Sequence, residues 1–73
     1  MKEHLNKKVG QLIVAERKLQ NLSQQELAKL SGINVSVLCF IEQGKSPITI
    51  YNCWLISQAL KISINKLFPE YVK

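Results

Sequence analysis

Side chains that commonly carry catalysis or bind metals are sparse in this chain of 73 residues. Its single histidine is His4, and its two cysteines, Cys39 and Cys53, lie far apart. A zinc site needs about four ligands at closer spacing. The sequence also lacks paired carboxylates, a Ser/His/Asp set and a glycine-rich phosphate loop. We therefore expect no catalytic activity, no metal and no cofactor, and we interpret both cysteines as reduced thiols that act mainly as small buried hydrophobic residues.

The charge of the chain is strongly basic, with 10 Lys and Arg against 5 Asp and Glu and a net charge of +5. Such an excess is typical of proteins that bind nucleic acid, but it also serves simply to keep a small protein soluble. The length allows one domain, residues 1–73. No apolar run approaches the roughly 18 residues that cross a membrane, and no secretory signal is evident. We expect a cytoplasmic protein without a membrane partner.

The apolar residues follow a helical period, which predicts an all-α, compact five-helix domain. The predicted helices cover about residues 5–19, 23–31, 34–43, 49–60 and 64–68. We expect the few glycines and prolines to lie at the ends of these elements. Thr49 and Ser63 are the predicted caps of the last two helices.

The best-defined helix start is formed by Ser23 and Glu26, which have the spacing of a capping box. Gly32 ends this helix, and only about three residues separate it from the next one. A connection this short holds two helices at a large angle. Together with this short connection, the spacing of the apolar residues predicts a helix-turn-helix unit over about residues 23–43. The residues whose spacing supports this prediction are Leu27, Ala28, Gly32, Ile33, Leu38 and Ile41.

Three segments of the chain carry a family resemblance. They are LSQQELAKLSG at 22–32, IEQGK at 41–45, and ALKIS at 59–63 with Leu67 and Phe68. Together they resemble the Cro/C1-type (Xre-like) helix-turn-helix family over about residues 9–68. The resemblance implies a lambda repressor-like DNA-binding domain, as in phage repressors, small bacterial regulators and restriction–modification controller proteins. It further implies a homodimer on a palindromic operator in double-stranded DNA, with no small-molecule effector.

The resemblance also implies which residues hold the DNA backbone. The implied phosphate contacts are Gln24, Gln43, Lys45, Tyr51 and Asn52. Gln24 belongs to the first turn of a helix, where unpaired amides and the positive end of the helix dipole favour an anion. Phosphate contacts position a protein without reading sequence. The simpler alternative is that these polar side chains are only solvated.

The implied base-reading residues lie on the third helix, which the resemblance places in the major groove. They are Asn34, Val35, Ser36, Cys39 and Phe40. Many family members carry Arg, Gln or Lys at the places of Val35 and Phe40, whereas this chain has no Lys or Arg between Lys29 and Lys45. Bidentate readout of guanine by Arg is thus excluded for this helix. We expect apolar contacts and DNA shape to supply specificity, unless Phe40 folds back on a neighbouring loop.

Two charged residues, Arg17 and Glu42, align with positions that pair in this family. We expect a partly buried ion pair that fixes helix orientation more than it adds stability; the alternative is two independent solvated charges. The apolar residues Val37, Leu38 and Ile41 are expected in the core.

The C-terminal part of the chain carries more apolar residues than a small monomer easily hides, and an exposed apolar patch marks an interface. We expect a dimerisation region over about residues 50–73; its predicted interface residues are Trp54, Leu55, Leu67, Phe68, Tyr71 and Val72. The alternative is a tail packed on its own core.

A rival function, a protein-interaction module such as an antitoxin or anti-repressor, is favoured by the apolar face of Val35, Cys39 and Phe40.

Overall fold

The computed structural model describes residues 2–46 and 48–67, with side chains from Asn6 onward. These residues form four α-helices, namely α1 (Lys2–Leu19), α2 (Gln24–Ser31), α3 (Val35–Gln43) and α4 (Ile50–Leu60), followed by a 3-10 turn at Ile64–Lys66. The predicted all-α class and the helix-turn-helix formed by α2 and α3 are confirmed. No helix among the described residues is long and apolar enough to span a bilayer.

The predicted fifth helix is wrong in type and length, because only a 3-10 turn, Ile64–Lys66, forms there. Its backbone bonds join residues three apart, with the Lys66 amide donating to the Ser63 carbonyl and the Leu67 amide to that of Ile64. Residues three apart lie above one another in such a turn, so Ile64 and Leu67 both pack on the core. Phe68, the last residue of the predicted helix, lies outside the described residues.

The helix ends form as predicted, because each depends on bonds between near neighbours. The Ser23 hydroxyl accepts from the Glu26 amide at 3.0 Å, and the Glu26 carboxylate accepts from the Ser23 amide at 2.7 Å. Gly32 ends α2 with φ +76°, a conformation that costs glycine little. The Asn34 side chain then accepts from the Ser36 amide at 2.8 Å and starts α3. The turn between the helices is therefore specified on both sides.

The core is a single apolar cluster to which all four helices contribute. Its buried members are Val9, Ile13, Leu27, Ala28, Ile33, Leu38, Ile41, Cys53, Ile56, Leu60 and Leu67. The predicted burial of Leu38 and Ile41 is confirmed, but that of Val37 is wrong, since its side chain is 40% exposed. Val37 precedes Leu38 by one residue, and adjacent residues of a helix point in directions about 100° apart. Only one of the two can then face the core squarely.

Gly10 lies in the middle of α1 and not at an element end, which corrects the expectation for the glycines. A Cβ atom at this position would stand 2.6 Å from the carbonyl oxygens of both Ile41 and Glu42. The absence of a side chain therefore lets α1 lie directly on the last turn of α3. Gly44, with φ +75°, likewise leaves room for the backbone of Lys7.

Replacement of Gly10 by alanine should lower the free energy of unfolding by about 2 kcal/mol, because the added methyl group overpacks the α1–α3 contact. In an exposed helix the same change would stabilise by about 1 kcal/mol, so the sign of the effect is diagnostic. Urea unfolding followed by circular dichroism measures it. Gln11→Ala, at the adjacent exposed position, should change stability by less than about 0.5 kcal/mol. A Gly10→Ala protein as stable as the parent would contradict this close approach.

Candidate nucleic-acid interface

The side of α3 that faces away from the core is open. Leu38, Ile41 and Glu42 are its buried residues. Val35 is 39% and Phe40 51% exposed, and Cys39 is partly exposed. The structure thus brings the predicted base-reading residues together at one surface. Half of the Phe40 side chain stays accessible, so its ring is not buried against a neighbouring loop.

Polar groups on this surface are partly engaged with one another. The side-chain oxygen Oδ1 of Asn34 accepts from the Ser36 amide and so caps α3, and the Gln43 side-chain amide donates to the Cys39 sulfur at 3.3 Å. The sulfur is a weak acceptor, so this second bond is easily exchanged. The Ser36 hydroxyl and the amide nitrogen of Asn34 retain their capacity to bond base edges.

The first four amides of an α-helix have no carbonyl partner within the helix. At the start of α2 they belong to Ser23, Gln24, Gln25 and Glu26, and the Glu26 carboxylate accepts from the Ser23 amide. The Ser23 hydroxyl takes the amide of Glu26, which leaves those of Gln24 and Gln25 for an anion. The partial positive charge of the helix end favours a phosphate at this place. Backbone amides, and not side chains alone, therefore define a candidate phosphate position.

The carboxylate of Glu42 binds side chains from two other helices. Arg17 of α1 donates from Nε to Oε2 at 2.8 Å and from Nη2 to Oε1 at 3.1 Å, a bidentate pair. Gln24 of α2 donates from Nε2 to Oε1 at 2.8 Å. The side chains of Arg17 and Glu42 are only 11% and 3% exposed. The remaining Arg17 nitrogen, Nη1, donates to the carbonyl of Leu22 at 2.8 Å.

Gln24 therefore has a role that sequence reasoning missed. Its amide nitrogen carries two hydrogens, and the bond to Glu42 engages one of them. The other is held in a fixed direction beside the first turn of α2, where it can donate to a phosphate. No local spacing signals this arrangement, because Gln24 and Glu42 are 18 residues apart.

The other residues predicted to hold phosphates lie where α3 ends and α4 begins. Gln43 is exposed in the last turn of α3, and Lys45 is exposed just after it. Tyr51 is 65% exposed. Asn52 is partly exposed, and its backbone amide donates to the Thr49 hydroxyl at 3.0 Å, which caps α4. These four residues flank the connection between α3 and α4 and remain candidates for phosphate contacts.

The predicted dimer residues differ in their exposure. Trp54 is 49% exposed, whereas Leu55 packs partly against the core. Leu67 is 1% exposed, because its side chain is buried in the core of its own chain. This corrects its assignment to the interface. Phe68, Tyr71 and Val72 lie outside the described residues. Sequence reasoning missed Ile50, which is 73% exposed next to Tyr51.

The two thiols occupy different environments, and both are free. Cys53 lies in the core, and burial raises its pKa to about 11. Cys39 is partly exposed on α3, which departs from the expectation that both are buried. Among the described residues no three His, Cys, Asp or Glu side chains lie together as metal ligands would.

A short turn between α2 and α3, an exposed α3 surface and an anion position at the start of α2 define a helix-turn-helix domain. A family model described as helix-turn-helix matches residues 13–67. An HTH-type transcriptional regulator from Sinorhizobium fredii is 36% identical over 61 residues, covering 84% of this chain and 80% of that protein. The control protein C.SmaI from Serratia marcescens is 30% identical over 54 residues, covering 74% and 64%.

Solved structures show the same likeness. The restriction–modification controller protein C.AhdI from Aeromonas hydrophila has a TM-score of 0.84 and 33% identity over 86% of this chain and 96% of its own. An HTH_3 family transcriptional regulator from Vibrio cholerae has a TM-score of 0.89 and 27% identity over 97% of this chain and 40% of its own. The chain belongs to the Cro/C1-type helix-turn-helix family of DNA-binding transcriptional regulators, which confirms the resemblance found in the sequence.

Replacement of Arg17 by methionine should lower the free energy of unfolding by about 3 kcal/mol, because it leaves the Glu42 carboxylate buried without its cation. The double variant Arg17→Met/Glu42→Leu should be destabilised by clearly less than the sum of the two single changes. Urea unfolding of all four proteins gives this coupling.

The matched control for that cycle is Lys66→Met, which removes the looser pair of Lys66 with Glu16. These groups stand 3.8 Å apart, and the Lys66 side chain is 65% exposed, so the change should cost less than about 1 kcal/mol. Additive effects of Arg17→Met and Glu42→Leu would contradict the structural role of the buried pair.

The cysteines should differ in reactivity, since the thiolate is the reacting form. At a pH of about 8, Cys53 stays protonated and buried, whereas Cys39 is accessible. An aromatic disulfide reagent should label one thiol per native chain rapidly and two after unfolding in denaturant. Cys39→Ser should abolish the rapid phase. Two rapid thiols in the native protein would contradict the burial of Cys53.

Proposed function

We propose that this chain is a transcriptional regulator that binds a palindromic operator as a homodimer, of the restriction–modification controller type. The observation that supports this proposal best is that the open surface of α3 lies next to the start of α2. In this arrangement α3 can contact bases while the start of α2 holds a phosphate. The likeness to C.AhdI and C.SmaI, which are named as controller or control proteins, supports the type. The alternative within the family is a Cro-like phage regulator.

The proposed docking places α3 in the major groove. Asn34, Ser36 and Phe40 then face base edges, with Val35 and Cys39 beside them. The start of α2, with Gln24, holds a phosphate on one side. Gln43, Lys45, Tyr51 and Asn52 hold the backbone on the other. A grip on both sides of the groove fixes the register of the reading helix on the duplex.

The proposed dimer forms through α4. Ile50 and Trp54 are 73% and 49% exposed, and neighbouring exposed apolar side chains favour association. Leu55 lies beside them, partly packed against the core. Two-fold symmetry would present two copies of α3 to half-sites about one helical turn of DNA apart. Phe68, Tyr71 and Val72 stay predictions for the same interface.

One observation favours a different function. Val35, Val37 and Phe40 make the open surface of α3 unusually apolar, as in a surface that binds another protein. The chain would then act as an antitoxin or anti-repressor on the same scaffold. Salt-sensitive binding to DNA separates the two functions, because phosphate contacts release counterions and protein contacts of apolar type do not.

DNA binding is tested by gel shift with the duplex upstream of the gene, at about 50 and about 200 mM salt. Gln24→Ala should weaken operator and unrelated DNA about equally, because a phosphate contact is lost. Ser36→Ala should reduce the preference for the operator. Gln11→Ala, on an exposed part of α1, is the control and should change neither. No salt-sensitive binding by the parent chain would contradict the proposal, and unchanged binding by both variants would contradict the docking.

The dimer is tested by sedimentation equilibrium. Trp54→Glu should shift the protein toward the monomer, because it places a charge in the proposed apolar interface. Leu19→Glu is the matched control, since Leu19 is 75% exposed on α1 and lies outside that interface. An unchanged dimer in Trp54→Glu, or a monomeric parent chain, would contradict the proposed assembly.

A further inference from the structure

The centre of the open α3 surface is an aromatic ring. Ser36, Phe40 and Gln43 follow one another at spacings of four and three residues, so they form one stripe along the helix. Phe40 is 51% exposed in the middle of this stripe, and Val37 is 40% exposed beside it. The element that faces the ligand therefore presents apolar carbon at its centre and single polar groups toward its two ends.

Charge is absent from this surface but present around it. Glu42 is the only charged residue of α3, and it is turned inward and bound by Arg17. Lys29 is exposed near the end of α2, and Lys45 just after α3. A ligand that matches this pattern has an apolar centre and anionic margins. A major groove with methyl groups on its floor and phosphates along its edges has this pattern, whereas an apolar protein surface lacks the anionic margins.

We propose that Phe40 and Val37 read the C5-methyl group of pyrimidines in the major groove, so that 5-methylcytosine can replace thymine in the preferred site while uracil and cytosine cannot. The proposal rests on the DNA binding proposed above and names the chemical group that gives it specificity. Thymine and 5-methylcytosine share this methyl group and differ in the neighbouring polar atom, an acceptor in thymine and a donor in cytosine.

The side chains of α3 explain why the methyl group, and not the polar atom beside it on the pyrimidine ring, would determine which base is preferred. A phenyl ring and an isopropyl group offer no hydrogen bond, so neither can distinguish acceptor from donor. At the pair that Phe40 contacts, the Ser36 hydroxyl can donate to thymine or accept from 5-methylcytosine, so it does not separate these two bases; its contribution to operator preference lies at other base pairs. Discrimination then comes from burial of one methyl group. The expected loss is about fourfold in affinity for each methyl removed, which corresponds to about 0.8 kcal/mol.

The experiment begins with a duplex selected from a random pool by the full chain. It is synthesised in four forms at each T·A pair, with thymine, with uracil, with 5-methylcytosine opposite guanine, and with cytosine opposite guanine. Dissociation constants are measured by fluorescence anisotropy. At one or more positions in each half-site, uracil and cytosine should bind about fourfold more weakly than their methylated counterparts, and 5-methylcytosine should bind about as well as thymine.

Phe40→Ala links the effect to the proposed residues, because it should reduce the methyl preference, and Phe40→Ala/Val37→Ala, which lacks both proposed side chains, should bind all four duplexes with nearly equal affinity. Leu19→Ala, at an exposed apolar position of α1, should keep the full methyl preference. Circular dichroism checks that Phe40→Ala is folded. Should it fail to fold, Phe40→Leu, which keeps an apolar side chain of smaller reach, should show a reduced preference.

Three results would overturn the proposal. Equal binding of thymine and uracil duplexes by the parent chain would exclude methyl reading while leaving DNA binding intact. An undiminished methyl preference in Phe40→Ala/Val37→Ala would assign the effect to DNA shape. Failure to select any duplex would overturn both the DNA-binding function and this inference, and would favour a protein as the occupant of the α3 surface.

Discussion

The arrangement of the three N-terminal helices depends on one buried carboxylate. Glu42 ends α3, yet its oxygens bind Arg17 from α1 and Gln24 from α2. Removing a carboxylate and a guanidinium from water is costly, and a single geometry with paired hydrogen bonds is what offsets that cost. Among the described residues no buried side-chain nitrogen or oxygen lacks a partner. The pair thus selects one helix arrangement from the many that an apolar core alone would tolerate.

The same contact connects stability to the proposed binding. Gln24 at the start of α2 and Glu42 at the end of α3 share a hydrogen bond, so the proposed phosphate position and the proposed reading helix are held in a fixed relation. Gly10 supports this relation from α1, because the backbone of Ile41 and Glu42 lies where a side chain would stand. A change in α1, remote from the open surface of α3, would therefore alter how α3 is presented.

The distribution of charge separates affinity from specificity in this chain. Its net charge is +5, but α3 contributes no cation, and its one carboxylate is internally paired. Lysines around the helix can provide salt-dependent attraction to phosphates, while apolar and single polar groups form the open surface of α3. The absence of arginine from α3 is compatible with the fold of the family, because α3 is held in place by the buried residues on its opposite side, namely Leu38, Ile41 and Glu42.

Features that rest on contacts between near neighbours could be predicted from the sequence. The capping box at Ser23 and Glu26, the Gly32 turn and the Asn34 cap are satisfied within a few residues, so their spacing is sufficient to predict α2, the turn and α3. The family resemblance extended this to the Arg17–Glu42 pair, which the structure places in direct contact.

Which faces of the helices pack against one another could not be predicted from local spacing, because it depends on the tertiary structure. The bond of Gln24 to Glu42, the clearance at Gly10, the exposure of Val37 and the burial of Leu67 each depend on residues distant in the sequence. Where a fifth α-helix was predicted, a 3-10 turn forms, and its residues Ile64 and Leu67 both pack on the core. Local spacing specifies where a helix begins and ends, but burial depends on how a helix is rotated against its neighbours, and that rotation is set by the packing of the whole domain.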